Sequence, residues 1–206
     1  MNLDRRKYLR PEEREVLLDH LEREAIVGRA KGHRVPVRDY HLFVVAFASG
    51  LRPTELALLH VGDLHLGRSE VRLTAQRLKR RKHVVEDVKL PRALGKPMRS
   101  YLEWLEAAGL STEADAPLFP GRSGKPITRS GIFRRWKVAL AGAGLPSYYE
   151  LRATRHTAGT IMYSASHDLR AVQQHLGHVK VTTTEQYVGV LDEDYQDAVD
   201  AAWKHK

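Results

Sequence analysis

Two hydrophobic periods divide the chain. From Pro11 to Ala30, Val16, Leu17, His20, Leu21 and Glu24 share one face of a 3.6-residue helix. Pro11 suits its first turn, and Glu12 and Glu13 suit its positive end. Gly32 to Pro36 breaks the pattern. Val37 to Gly50 is apolar nearly all round, which predicts a buried helix stopped by Gly50. Pro53 to Leu59 reads as a short third helix.

The period then shortens to two. Val71, Leu73 and Ala75 alternate with Arg72, Thr74 and Gln76, and Val84, Val85, Val88 and Leu90 add β-branched weight. These predict two strands joined by a basic connection over 77–83. Arg92 to Ala108 returns to helical spacing, with Leu94, Met98, Leu102 and Leu105 on one face. Leu110 to Lys125 reads as a loop with a short strand at Leu118–Phe119. Ile127 to Ala143 is a helix opened by Thr128 or Ser130 and ended by Gly142, Gly144 and Pro146. Tyr149–Tyr163, Leu169–Leu176, Thr182–Val188 and Asp192–Trp203 complete the helices. The expectation is a single α+β domain over residues 1–206, mostly helical, with a small antiparallel sheet.

Composition narrows the function. Lys and Arg number 34 against 25 Asp and Glu, a net charge of +9 that favours a polyanionic partner. Two blocks concentrate it: Arg77, Lys79, Arg80, Arg81, Lys82 and His83, then Arg122, Lys125, Arg129, Arg134, Arg135 and Lys137. With no cysteine, disulfides, thiolate metal sites and a cysteine nucleophile are excluded, which fits a reducing cytoplasm. The apolar run at Leu42–Ala48 falls far short of the roughly 18 residues a membrane span needs. The first residues, MNLDRRKYLRPEERE, lack the apolar stretch of a signal peptide.

Single residues leave several chemistries open. Arg52 sits at a helix start, where a cation is disfavoured unless an anion shares the site. Arg152 and Arg155 are helical neighbours and form either a solvated basic face or a pair of guanidiniums aimed at one ligand. His175 and His178 make a His-x-x-His pair with no third ligand at a familiar metal spacing. Tyr187 alone would be ordinary packing.

Taken in order, four segments resemble the tyrosine recombinase, or phage integrase, family. Gly50-Leu51-Arg52-Pro53-Thr54-Glu55-Leu56 matches its GLR-x-[ST]-E-L box. Arg155-His156-Thr157-Ala158-Gly159-Thr160 matches RHT-x-A-T with Gly in place of Ala. Leu176-Gly177-His178 and Thr183-Thr184-Glu185-Gln186-Tyr187 supply the last two. His178 follows Arg155 by 23 residues and Tyr187 follows His178 by 9, both usual in the family.

The resemblance implies the family's catalytic-domain fold and its chemistry. Arg52 and Arg155 would clamp a phosphodiester, whose transition state gathers charge on its non-bridging oxygens. His178 would donate to the same phosphate or act as acid/base, and Tyr187 would be the nucleophile, forming a 3′-phosphotyrosyl link. Lys79 would protonate the leaving 5′-oxygen, with Lys82 as the second candidate. Arg77, Arg80, Arg81, Lys82, Arg129 and Arg134 would contact DNA.

No cofactor is implied. Double-stranded DNA, a tetramer of protomers and accessory DNA-bending proteins would be the partners, in the cytoplasm of a bacterial, phage or mobile-element host. Two departures stand out. Arg152, a further catalytic candidate, occupies a position where the family usually has His or Lys, and Arg can bind phosphate but does not readily shuttle a proton, so the site would lean more on His178 and Lys79. The core-binding domain that usually precedes the first box is missing, so the chain is either a piece of a longer protein or similar to the small single-domain fimbrial DNA invertases. The terminal stripe of Tyr195, Ala198, Val199, Ala202 and Trp203 packs either on its own core or on a neighbouring protomer.

Overall fold

The computed structural model describes residues 7–79, 82–178, 181–185 and 187. Helix α1 spans Pro11–Ala30, α2 Arg34–Ser49 and α3 Pro53–Ala57. Strands β1 (Leu64–Leu66), β2 (Val71–Lys79) and β3 (Lys82–Leu90) come next, then α4 (Gly95–Ala107), α5 (Arg129–Gly142), α6 (Ala153–Ser166) and α7 (Leu169–Leu176). The three strands form one antiparallel sheet in the order β1-β2-β3. Among the described residues no helix is long and apolar enough to cross a membrane. The expected terminal helix at Asp192–Trp203 lies outside the described residues.

Helix α2 is the hub and packs against α1, α3, α4, α6 and β3. Its apolar circumference explains the position: Val37, Leu42, Phe43, Val45 and Ala46 have no exposed surface. Phe43 and Phe47 meet the Trp136 ring of α5 at tilted angles. The hub also buries charge. Arg38 bonds the Asp39 carboxylate at 2.6 Å, and Asp39 receives Arg135 on its other oxygen, so each ion is paired.

His41 lies in this core, stacked on Tyr101 at 4.2 Å, with its Nδ1–H donating to the Val37 carbonyl at 2.7 Å. Burial pushes its pKa down from 6.5 to about 4. The folded protein therefore holds His41 neutral while the unfolded chain takes up a proton below pH 6.5. Its contribution is complete above that pH and is lost as the pH falls toward 4. Unfolding at pH 4.5 is expected to cost roughly 2–3 kcal/mol less than at pH 7.5 from this residue alone. Denaturant melts of the wild type and His41→Gln check this, since the variant should lose that part of the pH dependence.

Two corners fix the placement of α3 and α7. Helix α2 ends at Gly50, whose φ of 60° is left-handed and whose Cβ, if present, would lie 2.4 Å from Leu176 Cδ2. The chain then turns directly into α3 with Arg52 as its N-cap. At the other corner, Asp168 Oδ1 accepts from the backbone N–H groups of Arg170 and Ala171, capping α7. Gly177, at φ 67°, ends that helix.

Candidate active site

An open cleft of about 1170 Å³ runs between the α2–α3 corner, α5, the start of α6 and the end of α7. Among the described residues Arg52, Arg129, Lys137, Arg152 and Arg155 line it, against the carboxylate of Glu150, so it suits an anion. His156, His178 and Thr183 complete the wall nearest Arg155.

Arg155 is the structural pivot. Its guanidinium is buried and donates to the Gly50 carbonyl and the Leu176 carbonyl, both at 2.7 Å. One side chain on α6 therefore joins the α2 corner to the end of α7. Burial, then Arg52, holds its pKa down to about 10, which leaves it protonated at neutral pH. Arg52 is steadied by Glu55, whose Oε1 lies 2.7 Å from Nη1 while Oε2 accepts from the Arg52 N–H at 2.8 Å. Glu55 is buried and the Arg52 side chain is 42% exposed, so the head of the arginine stays available to a ligand.

The turn after α7 brings the last two boxes together. The N–H of His178 donates to the Gln173 carbonyl at 3.0 Å, and the Gln173 side chain returns a bond to the His178 carbonyl at 3.1 Å. Thr184 Oγ1 meets His178 Nδ1 at 2.9 Å, and the Thr184 carbonyl accepts from the Tyr187 N–H at 3.0 Å. Tyr187 is fully buried, its ring parallel to that of His178 with centroids 6.4 Å apart. Its hydroxyl lies 3.4 Å from His156 Nδ1. Gly159 makes the space, because a Cβ there would sit 2.5 Å from Tyr187 Cζ. The Gly that departs from the family's RHT-x-A-T box thus lies directly under the tyrosine ring.

Electrostatics mark the same place. Burial, then Arg155 and Arg52, drives the His178 pKa down to about 3. Burial, then Arg155, lowers His156 to about 4. Burial lifts Tyr187 to about 12, with Arg155 pulling the other way. Both imidazoles are held neutral first by burial and then by the neighbouring arginines, and a bound phosphate would relieve the second of these.

Not every expected residue joins the cleft. The structure corrects Arg77: it is fully buried on β2 rather than set toward DNA, and it donates from Nη2 to the His175 carbonyl at 2.8 Å. Only a glycine at 177 permits this, since a Cβ there would lie 2.0 Å from Arg77 Nη1. Arg77 thus braces the end of α7. Arg129 lines the cleft, whereas Arg134 opens on a separate groove with Arg122 and Lys125. Helix α5 instead turns Phe133 and Lys137 inward. Arg152 is exposed on the cleft wall. Lys79 ends β2 opposite Lys82, which places both at the hairpin tip, and Arg80 and Arg81 lie outside the described residues. His175 and His178 engage different partners, His175 Nε2 meeting the Ala48 carbonyl at 3.0 Å.

His156, Glu55, Thr184 and Gly159 had no assigned role in the sequence reading. Glu55 was findable, since it stands at the third helical position after an N-cap residue, where a carboxylate reaches back to the cap.

A mostly helical domain with a three-stranded edge and an arginine-walled cleft over a buried tyrosine is the class that fold and site define. The phage integrase family model matches residues 7–194, and the chain belongs to that family. Tyrosine recombinase XerC of Proteus mirabilis is 31% identical over 168 residues, which cover 81% of this chain and 52% of that protein. XerC of Salmonella typhi is 31% identical over 167 residues, covering 81% and 53%. The chain thus spans about half the length of these curated relatives.

Among solved structures, the XerH site-specific recombinase bound to a palindromic difH substrate superposes with a TM-score of 0.76 at 22% identity, over 98% of this chain and 54% of that one. XerA recombinase gives 0.71 at 24%, over 93% and 63%. These superpositions establish the fold.

Proposed function

We propose that this chain carries the catalytic part of a site-specific DNA recombinase, which cuts and rejoins double-stranded DNA through a 3′-phosphotyrosyl link to Tyr187. The convergence of Arg52, Arg155 and His178 on a cationic cleft, with the Tyr187 hydroxyl against its wall, carries the reading. Arg52 and Arg155 hold the non-bridging oxygens, and Arg, always protonated and planar, is suited to both. His178 bonds the same phosphate. Tyr187 attacks phosphorus, the bond to the 5′-oxygen breaks, and Lys79 protonates that oxygen, with Lys82 the next candidate. The covalent link conserves the energy of the phosphodiester, so rejoining needs no ATP.

Arg152 and Arg129 contact neighbouring phosphates, and Lys82 with Arg80 and Arg81 adds contacts to the DNA backbone. Four protomers on two duplexes, with accessory DNA-bending proteins, complete the exchange in a bacterial, phage or mobile-element setting in the cytoplasm.

Incubation with supercoiled plasmid in chelator, without ATP, beside Tyr187→Phe tests the proposal. The wild type is expected to relax the plasmid and to form covalent protein–DNA adducts, and the variant to do neither. Adducts in both would move the nucleophile elsewhere. Binding without adducts in either would favour the second reading, a DNA-binding protein with no catalysis, which the exposed Arg152 on the cleft wall would suit.

A further inference from the structure

A phenol that attacks phosphorus must shed its proton as the new bond forms. Tyr187 gives that proton up less readily than a free phenol, because burial raises its pKa to about 12. The guanidiniums of Arg152 and Arg155 are donors with no acceptor site, so neither takes it up. His178 has Nδ1 engaged by Thr184 Oγ1 at 2.9 Å and lies parallel to the tyrosine ring. His156 differs from all three. It stands one helical turn after Arg152 on the same face of α6, and it presents Nδ1 to the Tyr187 hydroxyl at 3.4 Å.

We infer that His156 accepts the Tyr187 proton during strand cleavage and returns it on rejoining, an inference that rests on the function proposed above. In the forward step the Tyr187 oxygen bonds to phosphorus, its proton passes to His156 Nδ1, and the 5′-oxygen leaves with a proton from the hairpin lysine. In reverse, the 5′-hydroxyl attacks the phosphotyrosine while its own proton returns to the hairpin lysine, the bond from phosphorus to the Tyr187 oxygen breaks, and the departing phenolate recovers its proton from the His156 imidazolium. The contact of 3.4 Å is long for a hydrogen bond, as catalytic contacts often are before substrate binds.

The surroundings suit the role. His156 lines the cleft and so adjoins both the nucleophile and the space for the phosphate. Arg152 and Arg155 on its own helix, Lys7 from the N-terminal segment, and His178 and Tyr187 from the segment after α7 surround it. Burial, then the three cations, keeps it neutral and able to accept a proton in the free protein, and a bound phosphate offsets those cations when cleavage begins.

The test uses a duplex from a plasmid site at which the wild type forms its adduct, cleaved in single turnover. His156→Gln is expected to be about 10²- to 10³-fold slower at pH 7, the usual contribution of a general base. Its rate should then climb roughly tenfold per pH unit between about pH 7 and 9, because solvent must ionise the tyrosine, while the wild type changes little. Imidazole in solution should restore at least about tenfold to His156→Ala, by occupying the space left. A His156→Gln rate equal to the wild type would overturn the inference. So would a slow rate that keeps the wild-type pH profile without imidazole rescue, which marks a purely structural role. Failure of the wild type to form any adduct would instead remove the proposed function, and this inference with it.

Discussion

Arg155→Lys is expected to slow adduct formation by about 10²- to 10³-fold, the cost of removing a preorganised donor from developing charge. The structure makes the effect larger than a change of charge type suggests. Arg155 donates to the carbonyls of Gly50 and Leu176 at 2.7 Å each and still faces the cleft. Lysine has a compact ammonium and no fork, so it cannot span both carbonyls and a phosphate. One carbonyl would then lose its donor inside the protein, and the melting temperature should fall as well. DNA binding at low salt should change much less, because most of it comes from the other cations of the cleft and hairpin. Single-turnover cleavage beside fluorescence anisotropy separates the two effects. Cleavage within about threefold of the wild type would remove Arg155 from the clamp.

The second large effect is expected from Gly159→Val, with Gly159→Ala as the milder variant. Any Cβ at 159 meets the Tyr187 ring at 2.5–2.9 Å, so the ring must leave its seat. A displacement of about 1 Å at a nucleophile commonly costs about 10²-fold in rate. The loss should grow from Ala to Val, while DNA affinity and the melting of the core around α2 stay near wild type. Unchanged cleavage in both variants would show that the tyrosine does not react from this seat.

The particular elements explain what the sequence could and could not convey. Pro11–Ala30 and Leu169–Leu176 match the spacing reading to the residue, because each has a strong start or stop of its own. Thr128 proves to be the cap of α5, accepting from the Gly131 N–H at 3.0 Å. The helix expected from Tyr149 begins only at Ala153. Tyr149 is engaged elsewhere, its hydroxyl bonding Glu13 and its carbonyl accepting from Trp136 Nε1. The basic block expected as a connection is largely strand, since β2 runs to Lys79 and β3 starts at Lys82. β1 has three residues, too few for alternation to register. Leu118–Phe119 forms no strand, and only single bridges flank it, at Pro117 and Pro120.

The site divides in the same way. The boxes displayed Arg52, Arg155, His178 and Tyr187 because each sits in a local pattern. Arg77 misled because a charge normally signals exposure, and its burial depends on a glycine 100 residues away. The approach of His156 to Tyr187 joins residues 31 apart across two helices and a turn, which no local periodicity encodes.

The two carbonyl bonds of Arg155 bear on how such a chain reaches its folded state. Translation delivers Gly50 and Arg155 well before Leu176, the second anchor. A chain still emerging from the ribosome, or cut short ahead of that residue, owns the arginine but not the geometry that aims it. A DNA-cutting protein is hazardous when half assembled. On the function proposed above, the charge that would polarise a phosphate is aimed by the same two bonds that tie α6 to both corners, so the capacity to cleave DNA would come only once Leu176 is in place.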